Sequence, residues 1–291
     1  MLARRSTIPY VDSSGGPLNF VMRGWTPGDC EVSPGCMNCY VMRLQRTFPG
    51  FLPEHTTYDQ AKVQKLLALS FPPPYKRGEG SKPLAFVVDL GDLFHPNVSA
   101  DFILYAFDIM ESRKDVDWIV LTKRPERMVE VLFGAEGHYY LGGGDYLPNV
   151  ILGVTAEDQE RANQRIPLLL GNWMGPTMVS VEPMLGPVDL TDIRYDRWTE
   201  MNVLEGCGLT TRPGYMGQSI PNCYCPKLGW VIVGGESGPS FRPLDHQWVE
   251  DLYRQCEWAG IPCFLKQDAG IRPGLPLLLE GKQIQEWPKR W

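Results

Sequence analysis

The sequence predicts an α/β fold, a parallel βα barrel that is full or partial and TIM-like, and three observations predict it. Short β-branched or aromatic runs recur at 84–88, 118–121, 150–154, 178–181, 230–233 and 263–265, most of them about 30 residues apart, the length of a βα unit. Helical patterns fill the intervals. Each run also ends in side chains capable of chemistry: Asp89 and Asp92, Thr122 with Lys123 and Arg124, Glu157, Glu182, Glu236 with Ser237, and Lys266 with Gln267. A barrel brings all strand C-termini to one mouth, where these groups would assemble a single polar site, whereas an open sheet would scatter them along an edge.

The elements follow in order. An opening strand is expected near 18–22, which brings the count to about seven. A Pro-rich stretch, Phe71-Pro72-Pro73-Pro74, and the segment 77–81 make an exposed connection before the second strand. Ser99 caps a helix whose apolar side is Phe102, Ile103, Ala106, Phe107 and Met110. Pro125 opens another at its first turn, with Met128, Val129 and Leu132 inward. Asp245 caps a third, which buries Trp248, Leu252, Cys256 and Ala259 and stops at Gly260. The step from Val181 to Val233 is too long for one crossover, so 191–228 is expected to be an irregular, cysteine-containing excursion on the rim of a single domain spanning 1–291.

Composition narrows the function classes. With 43% apolar and 21% charged residues, the chain has the material for a sizeable core and is not globally disordered. No run of about 18 uninterrupted apolar residues occurs, and Arg4 and Arg5 precede no apolar signal core, so a cytoplasmic protein without a membrane partner is expected. The net charge of −6 gives no bulk attraction to phosphate backbones, which favours a small-molecule or nucleotide substrate over duplex nucleic acid.

The eight cysteines are too few and too unevenly placed for a disulfide scaffold. Cys30, Cys36 and Cys39 fall within ten residues around Pro34 and Gly35. Three thiolates on such a loop can hold a metal or cluster and leave one position open. A structural zinc site normally needs a fourth protein ligand, and neither His nor Cys follows closely. A four-iron cluster on three cysteines keeps one iron free for a small molecule. Spacing alone leaves cluster, zinc and simple packed thiols open. Cys207, Cys223 and Cys225 have poor spacing for a second metal, while Cys256 and Cys263 read as small core residues, as Trp248 and Trp258 read as packing. Asp92 and His95 form either an acid-base or orienting pair, or a helix-capping Asp beside a surface His. His55, His138 and His246 show no ligand spacing.

The blocks Gly35-Cys36-Met37-Asn38-Cys39-Tyr40, Gly91-Asp92-Leu93-Phe94-His95, Leu121-Thr122-Lys123-Arg124-Pro125-Glu126-Arg127-Met128, Gly153-Val154-Thr155-Ala156-Glu157-Asp158-Gln159, Ser180-Val181-Glu182-Pro183-Met184-Leu185-Gly186-Pro187, Val233-Gly234-Gly235-Glu236-Ser237-Gly238 and Phe264-Leu265-Lys266-Gln267 resemble those of the phage-associated three-cysteine family. That family is similar to radical S-adenosylmethionine (SAM) enzymes and is largely unassigned in reaction. The resemblance implies a radical-SAM-like barrel in which Cys30, Cys36 and Cys39 bind three irons of a 4Fe-4S cluster. SAM would chelate the fourth iron and, with an electron donor, yield a 5′-deoxyadenosyl radical acting on an unknown substrate, a nucleotide or nucleobase first.

Five residues separate Cys30 from Cys36 where the radical SAM pattern has three, and Asn38 stands where an aromatic residue is frequent, with Tyr40 as the substitute contact. Glu236 after Gly234 and Gly235 resembles the Gly-Gly-Glu that contacts the SAM amino group, there after an early strand and here after a late one. The candidate catalytic groups are thus Asp92, Lys123, Glu182, Glu236 and Lys266. Tyr40, Thr122, Arg124, Glu157, Ser237 and Gln267 are the candidate cofactor-binding ones. Lys123, Arg124 and Lys266 either bind a carboxylate or phosphate of the ligand or pair with Glu157 or Glu182. The alternatives are a zinc-stabilised barrel that binds a ligand without radical chemistry, and a cluster enzyme that does not use SAM.

Overall fold

A computed structural model of the chain describes residues 1–74, 77, 80–134, 146–210 and 227–289. His138, Cys223 and Cys225 lie outside the described residues. The fold is mixed α/β, centred on a six-stranded sheet of order β11-β10-β6-β5-β4-β3, as expected of a partial βα barrel. Its strands are β3 (Leu84–Val87), β4 (Asp117–Thr122), β5 (Val150–Thr155), β6 (Thr177–Val181), β10 (Val231–Gly234) and β11 (Cys263–Gln267). The pairs β3/β4, β6/β10 and β10/β11 are parallel. Every residue of β3, β5, β6 and β10 is buried, which is why these strands read as unbroken apolar runs rather than alternating ones.

The chain divides into two compact units, 1–153 and 154–291. In the first, α1 (Tyr40–Thr47), α2 (Gln60–Lys65), α3 (Ala100–Ser112) and α4 (Pro125–Phe133) accompany β3 and β4. The Ser99 hydroxyl accepts the Phe102 N–H at 3.3 Å, and all five predicted apolar residues of α3 are buried. On α4, Met128 and Leu132 are buried as expected, with Val131 the third inward residue and Val129 half-buried.

The expected opening strand is corrected. Only Val21–Met22 is extended; it forms β1, which pairs antiparallel with β2 (Thr57–Tyr58) apart from the main sheet. What flanks β3 is the segment around Ser13: Asp12 and Ser13 donate their N–H groups to the Leu84 carbonyl, and Phe86 returns one to Ser13. These residues have little strand propensity, and pairing rather than sequence pattern places them there. Arg77, in the expected exposed connection, is tied down by an ion pair to the buried Asp117 at 3.0 Å.

In the second unit, α5 (Gln159–Leu170) starts at Asp158, whose carboxylate accepts the Arg161 N–H at 2.9 Å. The last helix, α6 (His246–Ala259), begins at Asp245 and ends at Gly260, with φ of 66° in the left-handed region that suits glycine. It buries Val249, Leu252 and Cys256. Trp248 and Ala259 are only half-buried, and Trp258 is 88% exposed, so the expectation that Trp258 packs inward is overturned. Trp258 falls on the polar side with Glu257 and Arg254, where helical phase and not residue type decides burial. Cys256 and Cys263 are fully buried core residues as read from the sequence.

The described part of the 191–228 interval, residues 191–210 with 227–228, is more regular than expected. It carries an antiparallel sheet of β7 (Ile193–Arg194), β8 (Thr199–Asn202) and β9 (Cys207–Thr210). Strands of two to four residues are too short to display a period.

Gly235 permits a close approach in this unit: a Cβ there would lie 2.4 Å from the Ala269 amide nitrogen and 2.9 Å from the Ala269 Cβ. Both neighbours are fixed by the β10/β11 segment and cannot swing aside. Gly235→Ala is expected to destabilise the protein by about 1–3 kcal/mol through overpacking, seen as a lower urea midpoint with an unchanged slope.

Candidate functional site

The first unit builds its site around Asp92, which follows β3 and is 6% exposed. Its Oδ1 accepts the Thr122 hydroxyl at 2.8 Å and the Phe94 N–H at 3.0 Å, while Oδ2 accepts the Lys123 N–H at 3.2 Å and the Arg124 guanidinium at 3.1 Å. The Phe94 bond is a local turn that Asp forms readily. The others tie the end of β3 to the end of β4. Thr122 in turn accepts the Arg124 N–H at 2.9 Å, so the backbone that leads into α4 is fixed on both sides. Asp92 therefore caps no helix; that role belongs to Ser99.

This arrangement aims two cations at the cysteine loop. Lys123 Nζ lies 3.3 Å from the Ser33 hydroxyl and 3.8 Å from Cys36 Sγ. Arg124 Nη1 lies 4.0 Å from Cys30 Sγ. The loop itself is shaped by Pro34–Cys36, one short turn with Pro at its start, by the Cys36 N–H on the Ser33 carbonyl and by the Cys39 N–H on the Cys36 carbonyl. Cys39 then leads into α1.

The two cation-facing thiols differ. Burial works against the Cys36 thiolate, but Lys123 together with hydrogen bonds from the Val32–Ser33 backbone and the Ser33 hydroxyl overcomes it and lowers the thiol's pKa. At Cys30 burial dominates and raises the pKa, although Arg124 and Arg23 oppose it. Tyr40 is 42% exposed, yet its hydroxyl is turned inward and donates to the Asp89 carbonyl. Burial first, then the Asp89 and Cys39 charges, push that hydroxyl well above its usual range.

His95 is not a surface residue: it is 3% exposed. Its Nδ1 accepts the Asn97 N–H at 3.1 Å, which leaves Nε2 to donate to the Asp29 carbonyl at 2.6 Å. It thus holds the peptide that precedes Cys30. The Asp29 carboxylate binds the Gly24 N–H, the Thr56 N–H and the Thr56 hydroxyl. Burial opposes its charged form, and the Thr56 and Gly24 bonds with the nearby His95 outweigh burial, so its pKa is lowered. Asp29 and Thr56 escaped the sequence reading because they are 27 residues apart and neither ends a strand.

In the second unit the candidate carboxylates each have a cation. Glu157, fully buried, pairs with Arg165 at 2.9 Å, and Arg165 also donates to the Thr155 carbonyl at 2.7 Å. Glu182 pairs with Lys266 at 2.8 Å and accepts the Ser180 hydroxyl at 3.1 Å. A Cβ on Gly234 would sit 2.8 Å from the Glu182 carboxylate, so a glycine there leaves that carboxylate its room. Glu236 takes the Arg242 N–H at 2.9 Å and also its guanidinium. Gln267 donates to the Gly235 carbonyl at 3.0 Å and accepts the Gly274 N–H at 3.1 Å, and Ser237 forms a bridge with Gly270. Of the two roles open to Lys266, the structure shows the ion pair with Glu182; Arg124 pairs with Asp92. The partners Arg165 and Arg242 lie on helices and loops, where the sequence offers no periodic signal for them.

Among the described residues no three Cys, His, Asp or Glu side chains are grouped as ligands of one metal ion. The donor chemistry of the loop nonetheless fits a cluster, whose thiolates sit on separate irons and stand farther apart than ligands of a single ion. Three thiols are present, and two of them face fixed positive charge that offsets thiolate charge.

A family model described as a protein of unknown function (DUF5131) matches residues 17–275. The chain belongs to that family. The match spans the cysteine loop, all six strands of the main sheet and every candidate site residue. No curated protein and no solved structure matches the chain.

Proposed function

We propose that this DUF5131 protein is an iron-sulfur enzyme of the radical SAM kind, in which Cys30, Cys36 and Cys39 hold a 4Fe-4S cluster with one iron open to SAM. The observation that carries the reading is the pair of cations, Lys123 and Arg124, delivered by one buried carboxylate to the sulfurs of Cys36 and Cys30. The block resemblance to the phage-associated three-cysteine family supports it, and makes a nucleotide or nucleobase the favoured substrate.

A cluster held by Cys30, Cys36 and Cys39 would, once reduced by an electron donor, supply the electron for reductive cleavage of SAM. The chain's own residues prepare for this. Asp92 orients the cations, Lys123 and Arg124 stabilise thiolate at two positions, and His95 fixes the backbone before Cys30. Burial of Cys36 limits water at the sulfur, which strengthens those charges. In the second unit Glu157, Glu182 and Glu236 are held in ion pairs with Arg165, Lys266 and Arg242. No helix of the described residues is long and apolar enough to cross a membrane.

Anaerobic purification followed by iron and sulfide analysis tests the reading. The expected result is a brown protein with about four irons and matching sulfide per chain. A colourless protein that stays iron-free after reconstitution and carries stoichiometric zinc would make the cysteines a structural staple and end the proposal.

A further inference from the structure

Among the described residues two arginines are buried, Arg165 and Arg23, each 4% exposed. Arg165 has the Glu157 carboxylate at 2.9 Å. The Arg23 side chain makes one hydrogen bond, from Nε–H to the Gly24 carbonyl at 3.2 Å, and no described carboxylate pairs with its guanidinium. A buried lysine can shed its proton, but a guanidinium keeps its charge, and a buried charge without a counter-charge is costly. The fold nonetheless fixes this residue on both sides. Its N–H donates to the Leu90 carbonyl at 3.0 Å, just after β3. A Cβ on Gly91 would stand 2.9 Å from the Val21 carbonyl and 3.3 Å from the Arg23 nitrogen, so a glycine there lets the two segments close together. On the other side the Gly24 N–H is held by the Asp29 carboxylate at 3.1 Å and the Thr56 hydroxyl at 3.0 Å. With Nε committed to Gly24, the edge formed by Nη1 and Nη2 remains, and such an edge matches two oxygens of one carboxylate or phosphate. The charge lies near enough to Cys30 to oppose the effect of burial on that thiol, and Cys30 is itself only half-buried.

We infer that Arg23 is an oxyanion anchor, whose Nη edge binds a carboxylate or phosphate of the ligand that the cysteine loop receives. The inference rests on the proposed ligand site at that loop and not on the cluster. No bond is made or broken: the oxyanion supplies the counter-charge that the fold does not. The paired donors favour a ligand with two oxygens on one centre over the same ligand without that group. Two sources share this chemistry, the carboxylate of SAM and the phosphate of a nucleotide substrate.

Equilibrium dialysis under anaerobic conditions tests this with two probe pairs, each with and without its oxyanion: adenosine 5′-monophosphate against adenosine, and SAM against decarboxylated SAM. The full chain is used after reconstitution and, in parallel, without iron. Arg23→Gln and Arg23→Lys are compared with wild type once the urea midpoint of each is known. Wild type is expected to bind the oxyanion member of one pair about tenfold more tightly than its partner, or better. Arg23→Gln is expected to remove that preference by weakening the oxyanion member alone, and Arg23→Lys, a point charge without the fork, to keep part of it. The pair that responds names the source, phosphate or carboxylate. Wild type that prefers neither oxyanion overturns the inference, and this arm needs no variant to fold. An Arg23→Gln protein that keeps the wild-type preference, or weakens both members of a pair alike, overturns it as well. The expected preference in a wild-type chain that takes up no iron would end the cluster reading and leave the oxyanion anchor standing.

Discussion

Cys36→Ala is expected to reduce the iron of the reconstituted protein from about four per chain to a fraction of one, whereas Cys256→Ala leaves it unchanged. Both side chains are buried and both are free thiols, so burial does not separate them; surroundings do. Cys36 faces Lys123 and the Ser33 hydroxyl, which favour thiolate, the form that ligates metal. Cys256 lies against Cys263 on the core face of α6, where the Cys256 contact and burial push the Cys263 thiol well above its usual range. Iron analysis of the two variants side by side checks this. Equal iron in both would mean that the loop is not the ligand set.

The second large effect is expected at Asp92. Asp92→Ala removes an acceptor of four hydrogen bonds and leaves the Arg124 guanidinium buried without its carboxylate. Breaking a buried pair from one side costs about 3–5 kcal/mol, a large part of the stability of a typical domain. Urea denaturation measures it. A loss well under about 1 kcal/mol, the range of exposed pairs, would show that Arg124 is not held as described. Because Asp92 also positions Lys123 through its backbone, the variant is expected to retain less iron than wild type even where it stays folded.

These effects arise from a site whose scaffold was legible and whose wiring was not. All six strands of the main sheet fall within two residues of the apolar runs that announce them, because strands buried on both faces leave no other composition possible. Ser99, Pro125 and Asp245 are readable because each acts within one turn along the chain: Ser99 and Asp245 accept an amide of their own helix, and Pro125 takes a first-turn position whose N–H would have no helical partner. Asp92, Thr122, Lys123 and Arg124 stood out as strand-end residues, and they do meet in the first unit.

What the sequence hid is long-range pairing. The sequence leaves His95 open between an orienting group and a surface residue, and only the Asp29 carbonyl on its ring, 66 positions away, decides it. Likewise the segment at Ser13 becomes a sheet neighbour only because β3 offers it a free edge. Trp258 shows the converse error, in which a large apolar residue type outweighed the helical phase that places it in solvent. The antiparallel strands of 193–210 are simply too short to announce themselves.

The measurement that bears most directly on the central claim is the EPR spectrum of the dithionite-reduced, iron-loaded protein with and without SAM. An open iron that binds SAM predicts a cluster signal whose shape and g-values change on adding SAM, and which Cys36→Ala abolishes. A fully loaded protein whose signal is indifferent to saturating SAM would contradict the radical SAM reading and leave a cluster enzyme of another kind.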